Sequence, residues 1–446
     1  MSTVPLLSRS DLDDILAWRP DGPRTIRQFL ADVHALAAQL PSGPYLLNVC
    51  QDRYLFAVGF AAGLISGKTS LQPSSQSPET LRRIQDDYPG TFCLCDTEFN
   101  SATLPRFDFP ALDTADRHEI SGIPEIAAEQ CAAILFTSGS TGTPQAHHKS
   151  WAKLARNGRA EAQALGLLGG ACNIVGTVPV QHSYGFESTL LLALHGDCRF
   201  SSGKPFYPQD VLTALEAVPQ PRLLVTTPFH LATLVAADLQ LPPVDMLLSA
   251  TAPLSSALAA AAETRFAAPL YEIYGATESG QTASRRTTAG PAWTLLPGIR
   301  FTSENDQCFA SGGHVEGRVP LSDAIEILSA NQFILHGRHS DLINIAGKRT
   351  SLAYLNLQIS SIPGVVDGTF FLPEHEEPTG ITRLCALVVA PDLPRQQLLN
   401  LLRDRIDPVF LPRPLIFVEA LPRNSTGKLT QSDLQAVYAR NAPAKT

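Results

Sequence analysis

Residues 136–145 read Phe-Thr-Ser-Gly-Ser-Thr-Gly-Thr-Pro-Gln and follow directly on the apolar run Cys131-Ala-Ala-Ile-Leu. Gly139 and Gly142 let backbone N–H groups face an anion, and the hydroxyls of Thr137, Ser138, Ser140 and Thr141 add donors, so the segment could cradle a polyphosphate. A plain polar surface loop has the same composition. The segment is not the loop of P-loop nucleotide enzymes, because Pro144 stands five positions after Gly139 and no Gly-Lys-Ser/Thr follows.

Three further stretches carry groups that such a ligand needs. Tyr271-Glu-Ile-Tyr-Gly-Ala-Thr-Glu-Ser sets an aromatic ring, a hydroxyl and a carboxylate just beyond a buried apolar run. Tyr274 could stack on adenine, Thr277 could bond a phosphate and Glu278 could hold Mg2+; taken alone, the stretch could equally be an ordinary turn. Gly337-Arg-His-Ser-Asp-Leu-Ile-Asn-Ile-Ala-Gly-Lys-Arg joins a charged turn to an alternating strand, and Leu421-Pro-Arg-Asn-Ser-Thr-Gly-Lys-Leu puts Lys428 on a glycine-containing loop. A lysine near a C-terminus is usually solvated and by itself says little.

These groups need a scaffold, and the hydrophobic pattern describes one. Ile26, Phe29, Leu30, Val33, Ala37 and Leu40 recur at helical spacing behind Thr25 as N-cap, and Pro41-Ser-Gly-Pro stops the run. Tyr45 to Val49 reads as a buried strand, followed by a helix from about Asp52 to Ile65 and a strand at Thr69 to Leu71, an order that implies a parallel sheet. Cys131 to Phe136, the glycine-rich loop and a helix over Trp151 to Leu165 repeat the pattern. Asn173 to Val178, Leu223-Leu-Val-Thr, Met246-Leu-Leu-Ser and Leu270 to Tyr274 add short strands between helical segments. From about residue 320 the texture turns to short alternating strands: Ala324 to Leu328, Phe333 to Leu335 and Leu342 to Ile345. A strand over Thr382 to Val389, a helix over Pro394 to Ile406 and a strand at Leu415 to Val418 complete a small α+β unit, joined to the rest near Arg338 to Asp341.

With 446 residues, two or more domains are the default, and 44% hydrophobic with 17% charged residues describe a globular protein. A net charge of −8 argues against nucleic acid as the main ligand. The eight cysteines show no CxxC spacing and read as buried thiols of a reducing compartment. No signal peptide or membrane span is expected, since the most apolar run, Phe56 to Ile65, is too short for one, and the expected location is the cytoplasm.

In this order the stretches resemble the adenylate-forming superfamily: acyl-CoA synthetases, the adenylation domains of peptide synthetases, and firefly luciferase. The resemblance covers nearly the whole chain. Gly63-Leu-Ile-Ser-Gly-Lys-Thr-Ser-Leu-Gln-Pro fits the family's early helix-to-strand region, and Pro179-Val-Gln-His-Ser-Tyr-Gly-Phe fits its aromatic substrate-pocket motif. Leu248-Ser-Ala-Thr-Ala-Pro-Leu fits the segment lining adenine, and Leu321-Ser-Asp fits the Thr-Gly-Asp motif.

The resemblance implies an α/β N-terminal domain of several sheets flanked by helices over 1–338, and a small mobile α+β C-terminal lid over 339–446. It implies that ATP and a small carboxylic acid react to acyl-AMP and pyrophosphate, with transfer of the acyl group to a thiol. By position, Thr137, Ser138, Gly139, Ser140, Thr141 and Gly142 would hold the β- and γ-phosphates, Thr277 the α-phosphate and Glu278 Mg2+. Ala250, Thr251, Ala252, Tyr274 and Gly275 would line the adenine. Asp323 would bind the ribose with Arg338 assisting, and Lys428 would bridge carboxylate and phosphate as a point charge. The lid would turn about Ser340 and Asp341.

Three departures qualify the pattern. Gln145 stands where the family's loop has lysine, which removes one phosphate counter-charge; Lys149 or a second Mg2+ would have to compensate, or the chain is a weakened homologue that binds a nucleotide or acyl-AMP without turnover. Ser340 replaces the usual first acidic hinge residue. Ala250-Thr251-Ala252 adds bulk where Gly-Gly or Gly-Ala is usual.

The pocket motif has no aspartate to pair with an α-ammonium, which disfavours amino acids. His182, Tyr184, Phe186 and Ala276 would suit an aromatic acid such as a hydroxybenzoate. An aromatic cluster without substrate meaning is the other reading. Shortness makes the chain similar to the aryl- and acyl-acid ligases of aryl polyene and xanthomonadin pigment clusters, which load an acyl carrier protein. CoA is the alternative acceptor. From Pro394 onward eight Lys/Arg face four Asp/Glu, a basic excess that suits either anionic acceptor or no partner at all. The oligomeric state is left open.

Overall fold

The computed structural model describes residues 2–73, 75–99, 103–111, 120–137, 145–305, 307–338, 342–345, 348–373, 384–423 and 429–441. Among them, two large sheets carry the N-terminal part. The first runs, in spatial order, Gln145–Ser150, Cys131–Thr137, Thr69–Gln72, Tyr45–Asn48, Thr91–Cys95 and Arg106–Asp108. Its strands are parallel except at one edge, where Cys131–Thr137 and Gln145–Ser150 form an antiparallel hairpin around the glycine-rich loop.

The second sheet is longer. Its order is Asp323–Ile327, Gln332–Arg338, Ala292–Leu295, Gly280–Arg286, Leu270–Ala276, Met246–Ser249, Arg222–Thr226, Asn173–Gly176, Arg199–Ser201, Ile15–Arg19 and Gly22–Thr25. The run from Ile15–Arg19 to Leu270–Ala276 is parallel, and the strands beyond it are antiparallel. Ala324 to Leu328 and Phe333 to Leu335, read from sequence as the start of a new texture, therefore extend the large sheet as antiparallel edge strands.

Local chemistry sets the helices between these layers. Thr25 caps Ile26–Ala37 in a capping box: its hydroxyl accepts from the Gln28 N–H, and the Gln28 side chain accepts from the Thr25 N–H at 2.9 Å. Asp52 caps Arg53–Ile65 by accepting from the N–H groups of Tyr54 and Leu55. This helix is apolar on every face and buried along nearly its whole length, and with Ile26–Ala37 it contributes Phe29, Leu30, Tyr54, Phe56 and Phe60 to the largest core cluster.

Beyond residue 342 the chain forms a smaller C-terminal α+β unit. Asp367–Phe371, Cys385–Val389 and Leu415–Phe417 make a sheet, and the helices Leu352–Ser360, Arg395–Arg403 and Gln431–Asn441 pack on it. Its two apolar clusters draw only on residues from Ile343 onward. Seven cysteines are buried, Cys131 is half-buried, and all eight are free thiols. No helix among the described residues is long and apolar enough to cross a membrane.

One buried cation stitches the parallel strands of the second sheet to the first layer. The Arg53 guanidinium is fully enclosed and donates to four carbonyls: Gly176, Val178, Ser201 and Gly203. Burial lowers its pKa to about 10, so it stays charged. These carbonyls end the strands Asn173–Gly176 and Arg199–Ser201, just ahead of the Pro179-Val-Gln-His motif. Arg53→Met takes the donor from three buried carbonyls, Gly176, Val178 and Ser201, and from that of exposed Gly203, at about 1–3 kcal/mol for each that water cannot reach. A loss of at least about 3 kcal/mol is expected, read as a lower midpoint in urea unfolding; an unchanged midpoint contradicts it.

Candidate active site

The second sheet changes from parallel to antiparallel at Leu270–Ala276, and ligand-binding loops of such sheets collect at the C-terminal ends of the parallel strands. There the chain reverses tightly. Gly275 sits at a register shift, where a Cβ would lie 2.4 Å from the Gly280 carbonyl oxygen, so only glycine fits. The turn places Ala276, Thr277 and Glu278 side by side, all partly exposed. Ser279 braces it from below, its N–H donating to the Ala276 carbonyl and its hydroxyl to the Gly280 carbonyl.

Tyr274 lies one step before this turn. Its hydroxyl donates to Asp323 Oδ2 at 2.6 Å, and its ring leans on Trp293 and Phe333 at 5.7 and 5.6 Å. Burial and the neighbouring carboxylate raise the phenol pKa far above its usual value, so it stays a donor. Asp323 opens the edge strand and pairs in register with Arg338, the last residue of Gln332–Arg338. Residues 49 positions apart thus meet at one edge.

Met246–Ser249 runs beside Leu270–Ala276 and delivers Ala250, Thr251 and Ala252 to the same edge. Ala250 is buried, Ala252 half-buried and Thr251 exposed. Thr251 has φ +80°, a strained conformation for a β-branched residue.

Facing this edge is the hairpin of the first sheet. Thr137 ends its outgoing strand and Gln145, exposed, begins the return. Thr137 Oγ1 and His147 Nε2 lie 3.2 Å apart, and burial lowers the His147 pKa, with Glu278 acting against that. Ser138, Gly139, Ser140, Thr141 and Gly142 lie outside the described residues, as do Ser340, Asp341 and Lys428.

The aromatic motif is placed differently from the simple expectation. Phe186 has no exposed surface and packs edge-on against Phe60 and Phe56 at 5.1 and 6.5 Å, so it backs the wall from the core instead of facing a ligand. Tyr184 is buried and its hydroxyl donates to the Leu248 carbonyl at 3.0 Å, which commits its polar end to the sheet. His182, half-buried just before the short helical turn at Ser183, keeps a position at the entrance.

Behind the Glu278 turn lies a polar cluster of which the sequence reading named only Lys149, as a counter-charge for the phosphates. Lys149, 4% exposed, donates to the Glu278 carbonyl at 2.8 Å. Glu187 and Ser188 come from Phe186–Leu191, a π-helical stretch that turns both inward. Ser188 donates to Glu161 Oε1 at 2.7 Å and accepts from Gln281 Nε2 at 2.7 Å. Burial pushes the Glu161 carboxyl up to about 8 and that of Glu187 up to about 7. One sequence signal existed: Leu154, Gly158, Glu161 and Leu165 share a helical stripe, which sets a carboxylate among small and apolar residues on the inward face.

A tyrosine ring, a hydroxyl and two carboxylates thus gather at the sheet's switch point, opposite the strands that Thr137 ends and Gln145 begins. The model of the family described as AMP-binding enzyme matches residues 45–305. A 4-coumarate–CoA ligase of Rhodobacter capsulatus is 30% identical over 313 residues, covering 69% of this chain and 77% of that protein. A 2-succinylbenzoate–CoA ligase of Staphylococcus epidermidis is 24% identical over 364 residues, covering 74% of each. Among solved structures, the o-succinylbenzoate CoA synthetase of Bacillus subtilis in complex with its acyl-adenylate superposes with a TM-score of 0.82 at 18% identity, over 98% of this chain and 99% of that one. The chain belongs to the AMP-binding enzyme family, within the adenylate-forming superfamily, whose members use ATP.

Glu161 gives this architecture a pH signature. Its folded pKa, about 8, is raised above the ordinary 4.5 by burial, so the unfolded chain ionises first. The stabilising contribution is complete below pH 4.5, declines as pH rises and is gone above about 8. Glu161→Gln is expected to flatten the fall in urea midpoint between pH 5 and pH 8; an unaltered slope would assign that fall to other groups.

Proposed function

We propose that the protein is an AMP-forming acid–thiol ligase that activates an aromatic carboxylic acid. The observation that carries this reading is the convergence of the Thr277–Glu278 turn and the Tyr274–Asp323 pair on the edge facing the Thr137–Gln145 hairpin. In the reaction, a carboxylate oxygen attacks the α-phosphorus of ATP, the bond to the β-phosphate oxygen breaks, and pyrophosphate leaves with that electron pair. A thiol then displaces AMP from the acyl carbon. Two anions must meet in the first step, so the protein's work is positioning and charge neutralisation.

In this assignment, residues 137–142 hold the β- and γ-phosphates, Thr277 the α-phosphate, and Tyr274 with Ala250, Thr251, Ala252 and Gly275 the adenine. Asp323, which accepts from Tyr274, holds a ribose hydroxyl, with Arg338 beside it in register. Mg2+ fits Glu278: its carboxylate makes no hydrogen bond or ion pair with the described residues, and Mg2+ takes one or two carboxylates with waters and phosphates, not a protein cage. It would supply charge neutralisation on the phosphates. Lys428, carried by a lid over 339–446 that turns at Ser340 and Asp341, would bridge the two reacting anions.

The acid pocket opens beside His182 and Ala276, with Tyr184 and Phe186 as wall instead of contacts. The relatives' named acids, 4-coumarate and 2-succinylbenzoate, support an aromatic acid, and their named acceptor supports CoA. An acyl carrier protein, as in the aryl polyene and xanthomonadin ligases, is the second reading, supported by the basic excess after Pro394. Both acceptors present the same phosphopantetheine thiol.

Carboxylate-dependent exchange of labelled pyrophosphate into ATP, run over benzoic, hydroxybenzoic, cinnamic and fatty acids, is expected to favour the aromatic members; absence of exchange with every acid refutes the reading. Product analysis with CoA and with a pantetheinylated carrier protein separates the acceptors. Lys428→Ala is expected to lower exchange by at least about a hundredfold while nucleotide binding, followed by calorimetry, changes little. Near-normal exchange in that variant removes Lys428 from the chemistry.

A further inference from the structure

Lys149 sits on the strand returning from the glycine-rich hairpin, yet its ammonium points away from solvent into the joint between the two large sheets. An ammonium buried to this depth costs several kcal/mol unless compensated, so its surroundings indicate its purpose. Its one hydrogen bond among the described residues goes to the Glu278 carbonyl, 2.8 Å away. Burial lowers its pKa, and three carboxylates oppose that, Glu187 foremost, then Glu316 and Glu278.

Glu187 is 4% exposed, and the buried Asn157 side chain beside it acts against the rise that burial gives its carboxyl pKa. Both pack on Gly280 at the far side of the same turn: a Cβ there would lie 3.3 Å from Asn157 Nδ2 and 3.6 Å from Glu187 Oε1. Gly280, at φ +72°, lets the backbone fold down onto this pair. Glu316 fixes the other end of the strand, accepting from the N–H and hydroxyl of Ser150 through one oxygen at 2.9 and 2.7 Å. The turn that presents Thr277 and Glu278 is therefore held from behind at both shoulders, by Lys149 on the Glu278 carbonyl and by the Glu187–Asn157 pair under Gly280.

We propose that Lys149 and Glu187 act together as positioning residues that hold the Glu278 carboxylate in place for the metal–nucleotide complex. This rests on the reading of Glu278 as the residue that binds the metal. Neither side chain touches substrate; their effect runs through the peptide at Glu278. Groups that orient a metal ligand typically contribute tenfold to a hundredfold in metal affinity, so the pair governs how tightly metal is bound more than how the acid is recognised.

The test uses the full-length protein with a non-hydrolysable α,β-methylene ATP analogue and Mn2+, following free Mn2+ by electron paramagnetic resonance and the fold by circular dichroism. Lys149→Met is expected to weaken Mn2+ binding in the nucleotide complex by roughly tenfold. Lys149→Arg, which keeps the charge, should recover part of it, and Glu187→Gln, which keeps the shape, should lose part of it. If the two act as a unit, the Lys149→Met/Glu187→Gln double variant loses no more than Lys149→Met alone. In turnover assays the metal requirement should rise while KM for the acid holds. Folded Lys149→Met and Glu187→Gln proteins that both bind Mn2+ as the parent does would overturn the positioning role. Failure of the parent to bind Mn2+ in the nucleotide complex, or unchanged Mn2+ binding in Glu278→Gln, would instead overturn the assignment of Glu278.

Discussion

A charged hydrogen bond, from the Lys149 ammonium to the Glu278 carbonyl, links the edge of one large sheet to a turn of the other. Lys149 belongs to the antiparallel edge of one sheet and Glu278 to the turn where the other changes direction. Register within a sheet is set by its own ladder, but no ladder sets the position of one sheet edge against the other. Apolar packing is non-directional and tolerates small slides. A hydrogen bond to a charge is short-ranged and directional, and a buried one left unmade is costly, so this contact fixes the hairpin around the glycine-rich loop against the turn that carries Thr277 and Glu278.

The rest of the site follows from that alignment. The parallel strands end at one edge because crossover helices return the chain to the same side each time, and Arg53 holds two of those ends by their carbonyls. Tyr274 and Asp323 then close the far side, drawing an edge strand added late in sequence onto the strand that begins the antiparallel section. Gly275 and Gly280 make the reversal tight enough for its backbone to meet Lys149 and Glu187, and Thr251 accepts a strained backbone next to it. Thr251, Gly275 and Gly280 thus put one strained residue and two glycine requirements at the turns of the candidate site.

How far the sequence foretold this depends on what kind of signal each part leaves. Apolar periodicity and caps are local, so the helices behind Thr25 and Asp52 and the strands at Tyr45, Cys131 and Leu270 were legible within three residues at every end, the widest miss being Leu40, read into a helix that stops at Ala37. The ordered motifs placed Tyr274 and Asp323 in one site although 49 residues separate them. Side-chain direction was not legible: Phe186 and Tyr184 look alike as aromatic pocket residues, yet one ring is wholly in the core and the other's hydroxyl is spent on Leu248. Strand order was not legible either, since the edge strands after residue 320 carry an alternating pattern that suits an edge of the large sheet as well as a new domain.

The polar interior was the least legible part, and its energetics explain why it exists. A buried carboxylate and lysine are weak evidence for stability, because apolar side chains of equal volume commonly serve as well or better. Glu161 and Glu187, both with pKa values raised by burial, are groups the fold holds at a cost, and Glu161 lies on a helical face whose spacing would suit an apolar residue. Glu187 lies among the few residues that back one turn, and Ser188 beside it reaches Glu161. An interior that sought only stability would be uniformly apolar there; one that must hold a carboxylate at a fixed place for a doubly charged ligand needs directional bonds that an apolar side chain cannot make. Glu187 and Ser188 stand at consecutive positions of a π-helical stretch whose six residues are all buried, so both face the interior, one beside Lys149 and the other between Glu161 and Gln281.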